Sequence, residues 1–288
     1  VEEVSSFLET GVVSIPAIRK DTTDRNRTSP FAFTGNKFEF RMPGSSQSIA
    51  GINIVINTIV AESLSQFADR LEKAADPDAE IMEIVTDTIK KHDRIIFNGN
   101  NYSDEWVKEA ERRGLPNLKT TVDALPVFVS DKVIRLFEKH GVFTEIESRS
   151  RCEILLEDYA KAIHIEALTA LEMAKQEILP ACLAYQTDLA KSLKDKKELG
   201  VAAPNERKLF STINEKTEEL IGAIESMQSV VDAAPEDVEE LKIAAYCKDQ
   251  ILPAMAAVRK PADELELLVG KKYWPFPTYT DLLYSVLD

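Results

Sequence analysis

Two hydrophobic periods run along this chain. Over residues 37–41 the pattern alternates. Phe38 and Phe40 fall on one face and Lys37, Glu39 and Arg41 on the other, which predicts a strand. Over about 47–73 the spacing becomes helical, with Ile52, Val55, Ile56, Ile59, Val60 and Leu64 on one side, and Ser45-Ser46 placed to cap the helix. Asn53 and Asn57 lie four apart on that helix and need hydrogen-bond partners if buried. The run Ala74-Ala75-Asp76-Pro77-Asp78 breaks the pattern and marks a domain boundary. A helix over 80–92 would turn Ile81, Ile84, Val85, Thr88 and Ile89 inward. Residues 94–97 read as a short strand before the Asn98-Gly99 turn. Ser103-Asp104-Glu105 caps a short helix that Gly114 ends, and Ser130-Asp131 opens another over 133–140, closed by Gly141.

From Glu145 onward the chain reads as helix almost throughout. The first long element runs to about Glu198, with Leu155, Tyr159, Ile163, Leu171, Ile178 and Tyr185 among its stripe, and Pro180 must kink or split it. Ala202-Ala203-Pro204-Asn205 is a tight connector to a second element over 206–231, with Ile213, Leu220, Ile224 and Met227 on its apolar face. Pro235-Glu236-Asp237 resembles a helix start, with proline in the first turn and acids at the positive dipole end, and the third element extends to about Val269. Long helices joined by short connectors predict an antiparallel bundle over 145–269, with left-handed, coiled-coil-like packing. The tail Tyr273-Trp274-Pro275-Phe276-Pro277 is extended and aromatic, suited to docking on the bundle or on a neighbouring subunit.

Composition narrows the function classes. Forty-nine acids against 35 bases give a formal charge of −14, which argues against nucleic acid and against an anionic membrane surface. No run of eighteen apolar residues and no signal-type segment occurs, so a cytoplasmic protein is expected. The three cysteines, Cys152, Cys182 and Cys247, match neither a disulfide framework nor a zinc spacing and read as buried thiols. No glycine-rich nucleotide loop of the P-loop or dinucleotide type is present.

The candidate chemistry lies in residues 24–46, where cations, acids, glycines and aromatics crowd before the first long helix. On the 37–41 strand, Glu39 could bind a hard metal ion and Arg41 could fork onto a carboxylate or phosphoryl oxygen. The alternative is a half-buried strand with a charged solvent face. The string Asn26-Arg27-Thr28, followed at short range by Lys37-Phe38-Glu39-Phe40-Arg41, resembles the end of the glutamine synthetase catalytic domain, and the type III branch in particular. Phe97 to Ser103, Arg151 to Glu157, Lys175 to Ala181 and Tyr273 to Tyr279 resemble that branch's carboxyl-terminal extension, so the likeness covers nearly the whole chain.

That resemblance implies an α+β fold, predominantly α-helical: the edge of a glutamine synthetase catalytic β-sheet, then a mixed segment and a long antiparallel helical bundle. Residues 1–74 would end the catalytic domain and 75–288 would form the helical extension. The implied reaction is ATP-dependent amidation of glutamate by ammonia through a γ-glutamyl phosphate. Glu39 would be one ligand of Mg²⁺ or Mn²⁺. Arg27 and Arg41 would bind substrate and neutralise the reacting groups, and Lys37 would lie near the nucleotide. An arginine that the family often carries five residues after the one matched by Arg27 is Ala32 here. The family's other metal ligands, several glutamates and a histidine, precede this region, and His92, His140 and His164 come too late to match. The chain begins at Val1 rather than Met and reads as a carboxyl-terminal piece, inactive alone, of a homo-oligomeric enzyme, a ring-based dodecamer by family resemblance. The alternative is a non-catalytic helical assembly or interaction module.

Overall fold

The computed structural model describes residue 44, residues 47–96 and 103–284, the backbone of four short strands, and the side chain of Phe40. The strands are β1 (Phe7–Leu8), β2 (Ile18–Arg19), β3 (Phe31–Phe33) and β4 (Phe38–Phe40). They form two separate antiparallel pairs, β1 with β2 and β3 with β4. The expected α+β architecture, with the edge of a catalytic β-sheet, is therefore corrected. An edge strand needs an inner strand beside it, and among the described residues each strand of two or three residues pairs only with its hairpin partner. Among the described residues everything else with regular structure is helical. The chain divides into two compact units, residues 1–117 and 118–288.

In the first unit, α1 (Ala50–Leu71) and α2 (Pro77–His92) form a helical hairpin. The turn between them is closed by Asp76, whose side chain accepts from the backbone N–H of Asp78 and Ala79, with Pro77 in the first turn. Arg70 ties the two helices, reaching Glu80 at 2.6 Å and Asp87 at 3.1 Å. The apolar faces are mostly uncovered within this unit. Val55, Ile59, Val60 and Leu64 on α1 and Ile81, Val85 and Ile89 on α2 are exposed, and Ile84 alone of the α2 set is buried. The inward orientation read from their spacing is thus not realised among the described residues, where the two helices pack chiefly on each other. Asn53 and Asn57 are exposed as well. The strand expected at 94–97 is instead a 3₁₀ turn, Asp93–Ile95; Phe97 lies outside the described residues. Arg113, on the end of α3 (Asp104–Arg112), donates to the carbonyls of Arg94 and Ile96, so those acceptors need no strand partner.

The second unit opens with α4 (Thr121–Phe128), which the hydrophobic pattern had not suggested, and α5 (Asp131–Lys139). Phe137 is 1% exposed and packs edge-on against Phe143, with ring centroids 5.3 Å apart. Gly141, at φ +60, supplies the left-handed residue that ends α5. Thr144 and Glu147 then form a complete capping box at the head of α6 (Glu145–Met173).

Pro180 neither breaks nor splits the first long element. A single π turn, Ala174–Ile178, precedes α7 (Leu179–Glu198), and the Leu179 N–H reaches back five residues to the Ala174 carbonyl. A proline in a regular helix clashes with the carbonyl four residues back; the wider turn relieves that crowding while the helix continues. The same device recurs. After α8 (Pro204–Asp232) come α9 (Glu240–Tyr246), a π turn Cys247–Ile251, and α10 (Leu252–Glu266), with Pro253 in its first turn. Both π turns carry Lys-x-x-Ile-Leu-Pro-Ala, at Lys175 to Ala181 and at Lys248 to Ala254. The Pro235-Glu236-Asp237 start is corrected: the third helix begins at Glu240, and Asp237 sits in the connector at φ +55.

Cross-helix bonds fix the directions. Lys175 reaches Gln228, Gln186 reaches Thr217, and Lys196 pairs with Glu206, so α8 runs antiparallel to α6–α7. Lys216 pairs with Glu264 and the Tyr246 hydroxyl donates to the Val230 carbonyl, so α10 returns antiparallel to α8. Between them lies one core, with Ala167, Cys182, Ile213, Leu220, Met227, Ile251 and Leu265 at 3% exposure or less. The tail docks on this core through Tyr273, Trp274 and Phe276, and Tyr273 donates to Asp188. A short helix, α11 (Tyr279–Tyr284), follows.

Candidate functional site

Arg27, Lys37 and Arg41 lie outside the described residues, as does the side chain of Glu39. The Glu39 backbone is placed: it pairs with Ala32 across the β3–β4 ladder, with Phe38 opposite Phe33 and Phe40 opposite Phe31. The four site residues inferred from sequence are therefore neither brought together nor separated by this structure. Among the described residues no group of three or more His, Cys, Asp or Glu is placed to hold a metal ion. The described side chains thus offer no cage for Mg²⁺ or Mn²⁺, and that expectation rests on Glu39.

Several ionisable groups of the second unit hold helices together. Asp123 accepts from Thr120 at 2.6 Å and from Lys248 at 3.1 Å, and these two contacts lower its pKa. Lys248 belongs to the second π turn, so the pair ties that turn to α4. Lys216 is bracketed by Glu219 and Glu264, which raise its pKa further. The three cysteines are free and buried, and burial pushes the Cys182 thiol up to about 11. Thiols held in that state are poor nucleophiles and poor metal ligands at neutral pH.

What the second unit does offer is recessed space, two of its three hollows beside the π turns. A cavity of about 470 Å³ adjoins Ala174 and Ile178 of the first turn, under Trp274 and Phe276 of the tail. A second, of about 410 Å³, adjoins Cys247 and Ile251 of the second turn, with His164 and Pro235 in its wall. A third, of about 420 Å³, lies between α4, α6 and the start of α9, with Cys152 and Val238 in its wall. The first two were missed by reading hydrophobic periods, because a π turn adds a single residue and so short an irregularity does not show in a period read over many turns. The usable signal was the repeated Lys-x-x-Ile-Leu-Pro-Ala string.

Known proteins match this chain along nearly all of its length. The family described as the glutamine synthetase C-terminal domain matches residues 80–197. A glutamine synthetase of Butyrivibrio fibrisolvens is 40% identical over 278 residues, 93% of this chain and 39% of the relative. The type-3 glutamine synthetase of Dictyostelium discoideum is 38% identical over 291 residues, 97% of this chain and 39% of the relative. A glutamine synthetase of Bacteroides fragilis is 33% identical over 298 residues, 98% of this chain and 40% of the relative. The chain spans about two-fifths of the length of these relatives. With the resemblance of residues 26–41 and the helical body that follows, these matches make the chain similar to glutamine synthetases, a type-3 enzyme among them, with residues 80–197 matching their C-terminal domain.

Proposed function

We propose that this chain contributes the last active-site residues and the helical extension of an ATP-dependent glutamate–ammonia ligase. The observation that carries the reading is the string from Asn26 to Arg41, within a chain that matches glutamine synthetases at 33–40% identity. In this reading residues 1–74 end the catalytic domain and 75–288 form the extension. The reaction phosphorylates the γ-carboxylate of glutamate with ATP, and ammonia then displaces the phosphate. Arg27 and Arg41 hold and neutralise the reacting oxygens, and Lys37 faces the nucleotide. Glu39 serves as one ligand of Mg²⁺ or Mn²⁺; such ions want near-octahedral oxygen coordination, which one carboxylate does not supply. The working protein is a cytoplasmic homo-oligomer, a ring-based dodecamer on the family pattern. No helix among the described residues is long and apolar enough to cross a membrane.

The test has two arms. The chain alone, assayed for γ-glutamyl transfer with Mg²⁺ or Mn²⁺, should be inactive, and turnover at a normal enzyme rate would overturn the incomplete-site reading. In the longer protein, Glu39→Ala should abolish activity and weaken metal binding. Arg41→Ala should slow phosphoryl transfer about a hundredfold or more, equivalent to roughly 2–4 kcal/mol. Near-normal kinetics for either variant would remove that residue from the site. A second reading, a non-catalytic assembly module, is favoured by one observation: Tyr279, Leu282, Leu283 and Tyr284 are all at least 60% exposed at the end of the helical body. A genuine start near Val1 in the native gene product would favour that reading.

A further inference from the structure

The two Lys-x-x-Ile-Leu-Pro-Ala strings build two equivalent hollows, and the tail covers the first. Ala170, Met173, Ala174 and Ile178 line the hollow beside the first π turn. Ile243, Tyr246, Cys247 and Ile251 line the one beside the second, and they hold the same four positions relative to their own string. The volumes are close, about 470 Å³ and about 410 Å³. Trp274 and Phe276 complete the first hollow as a T-shaped pair with centroids 6.2 Å apart. The opposite wall of the second comes from α6, through Ala160, His164 and Ile165, and from Ala234 and Pro235 of the connector. Among the described residues no part of the tail reaches it, and Ile165 is 63% exposed there.

The same chain carries an apolar surface with nothing against it. Tyr279, Leu282, Leu283 and Tyr284 of α11 are all exposed. The helix nevertheless starts at a fixed point, because Asp281 accepts from the Thr278 N–H at 2.8 Å and from Lys271 at 2.5 Å. That tie holds α11 beside residue 271, so little ordering is needed before it docks. The charges match as well. The rim of the second hollow is acidic, with Glu157, Glu236 and Glu240 against Lys161, which is itself paired with Glu157 at 2.5 Å. At the root of the tail, Lys272 lies over the Tyr273 ring at 5.2 Å and, among the described residues, has no carboxylate partner.

We propose that α11 of one copy of this chain docks in the second π-turn hollow of another copy, and that two copies make this exchange reciprocally about a two-fold axis. Reciprocity closes the contact, whereas a one-way contact between unlike surfaces would propagate. Each α11 removes roughly 500 Å² of its own surface from water and a similar area of the hollow and its rim. The two exchanges together bury about 2,000 Å², the size of a stable interface. Lys272 then approaches the acidic rim, which steers encounter and fixes the register. The proposal does not depend on the ligase reading, because association is measured without turnover.

Sedimentation velocity of the full chain across the micromolar range tests it. The chain should form a reversible dimer. Leu283→Glu on the tail and Ile165→Glu at the hollow each change an exposed residue, so circular dichroism should show an intact fold. Each should weaken dimerisation about tenfold or more. Mixing the two variants is the decisive arm. A tail-defective chain keeps its hollow and a hollow-defective chain keeps its tail, so the mixture regains one exchange and associates more tightly than either variant alone. A chain that stays monomeric throughout would overturn the proposal. So would an assembly indifferent to both substitutions, which would place the contact on the exposed faces of α1 and α2, or a mixture that associates no better than its parts.

Discussion

Burial decides the chemistry of individual residues in the helical unit, and the cysteines show it most directly. Each sits on an apolar helical stripe, which is why burial was legible in the sequence. Cys182 is fully buried, and its thiol moves from the ordinary 9.0 to about 11 because the thiolate is poorly solvated there. Cys152, Cys247 and Tyr159 shift in the same direction for the same reason. A group whose pKa is raised on folding stabilises the native state fully below its unfolded value and loses that contribution as pH rises through the folded one. The free energy of unfolding should therefore fall between pH 9 and about 11, measured by urea titration. Cys182→Ala should flatten that fall, and an unchanged pH slope would show that the thiol is not linked to stability. In native protein at pH 8, a thiol reagent should leave all three cysteines unmodified. The catalytic candidates contrast with them. Arg27, Lys37, Glu39 and Arg41 were legible through alternation and resemblance, yet single-residue chemistry at an enzyme site depends on neighbours far away in sequence, which no local pattern carries.

At the scale of elements, the long helices were legible because three or four turns of consistent spacing outweigh local noise. Short elements were not. The α4 helix was overlooked, although Thr120 accepts from the Asp123 N–H as a cap, because eight residues with Pro126 inside give little periodicity. Pro235 was read as a helix start on local grounds. The connector instead carries it without regular structure and begins α9 at Glu240, where Leu241 and Ala244 reach the core around Cys152. The pattern read over 94–97 failed because Arg113 satisfies the carbonyls that a strand would need paired. Caps can be ranked by the same hydrogen-bond accounting. Thr144 exchanges both bonds of a capping box with Glu147, whereas Ser130 makes no cap bond and its hydroxyl donates to the Val127 carbonyl. Thr144→Ala should cost about 1 kcal/mol of stability, and Ser130→Ala only a few tenths, from urea unfolding curves. Equal losses would mean that the box at the head of α6 is not holding that helix start.

For the whole molecule, the helical unit is closed by a segment that is not part of any long helix. After α10 the chain turns at Gly270, and Tyr273 packs on Tyr185 in a tilted pair with centroids 5.1 Å apart while Trp274 and Phe276 lie against the same core. An aromatic tail was readable from the sequence, and so was its tendency to dock, although its first residues form a turn on Gly270 rather than extended chain. Where it would dock was not, because the receiving surface is assembled from α6, α7 and α10, which are far apart along the chain. Three aromatic side chains, each partly buried, contribute roughly 3 kcal/mol by the apolar area they remove from water. The two prolines in the tail reduce the entropy lost when it orders, so most of that gain survives. Ending the chain at Gly270 should then lower the melting temperature of the helical signal by roughly 5–10 °C, as expected for a loss of that size in a unit of this length. It should also open the cavity that Trp274 and Phe276 cover, making the core reactive to an external quencher or dye. Circular dichroism melts of the full and shortened chains, with dye binding measured alongside, test both consequences. A shortened chain that melts with the full one and binds no dye would show that the helices close without the tail. The aromatic segment would then have to find its use on another surface, as the exposed side chains of α11 beside it suggest.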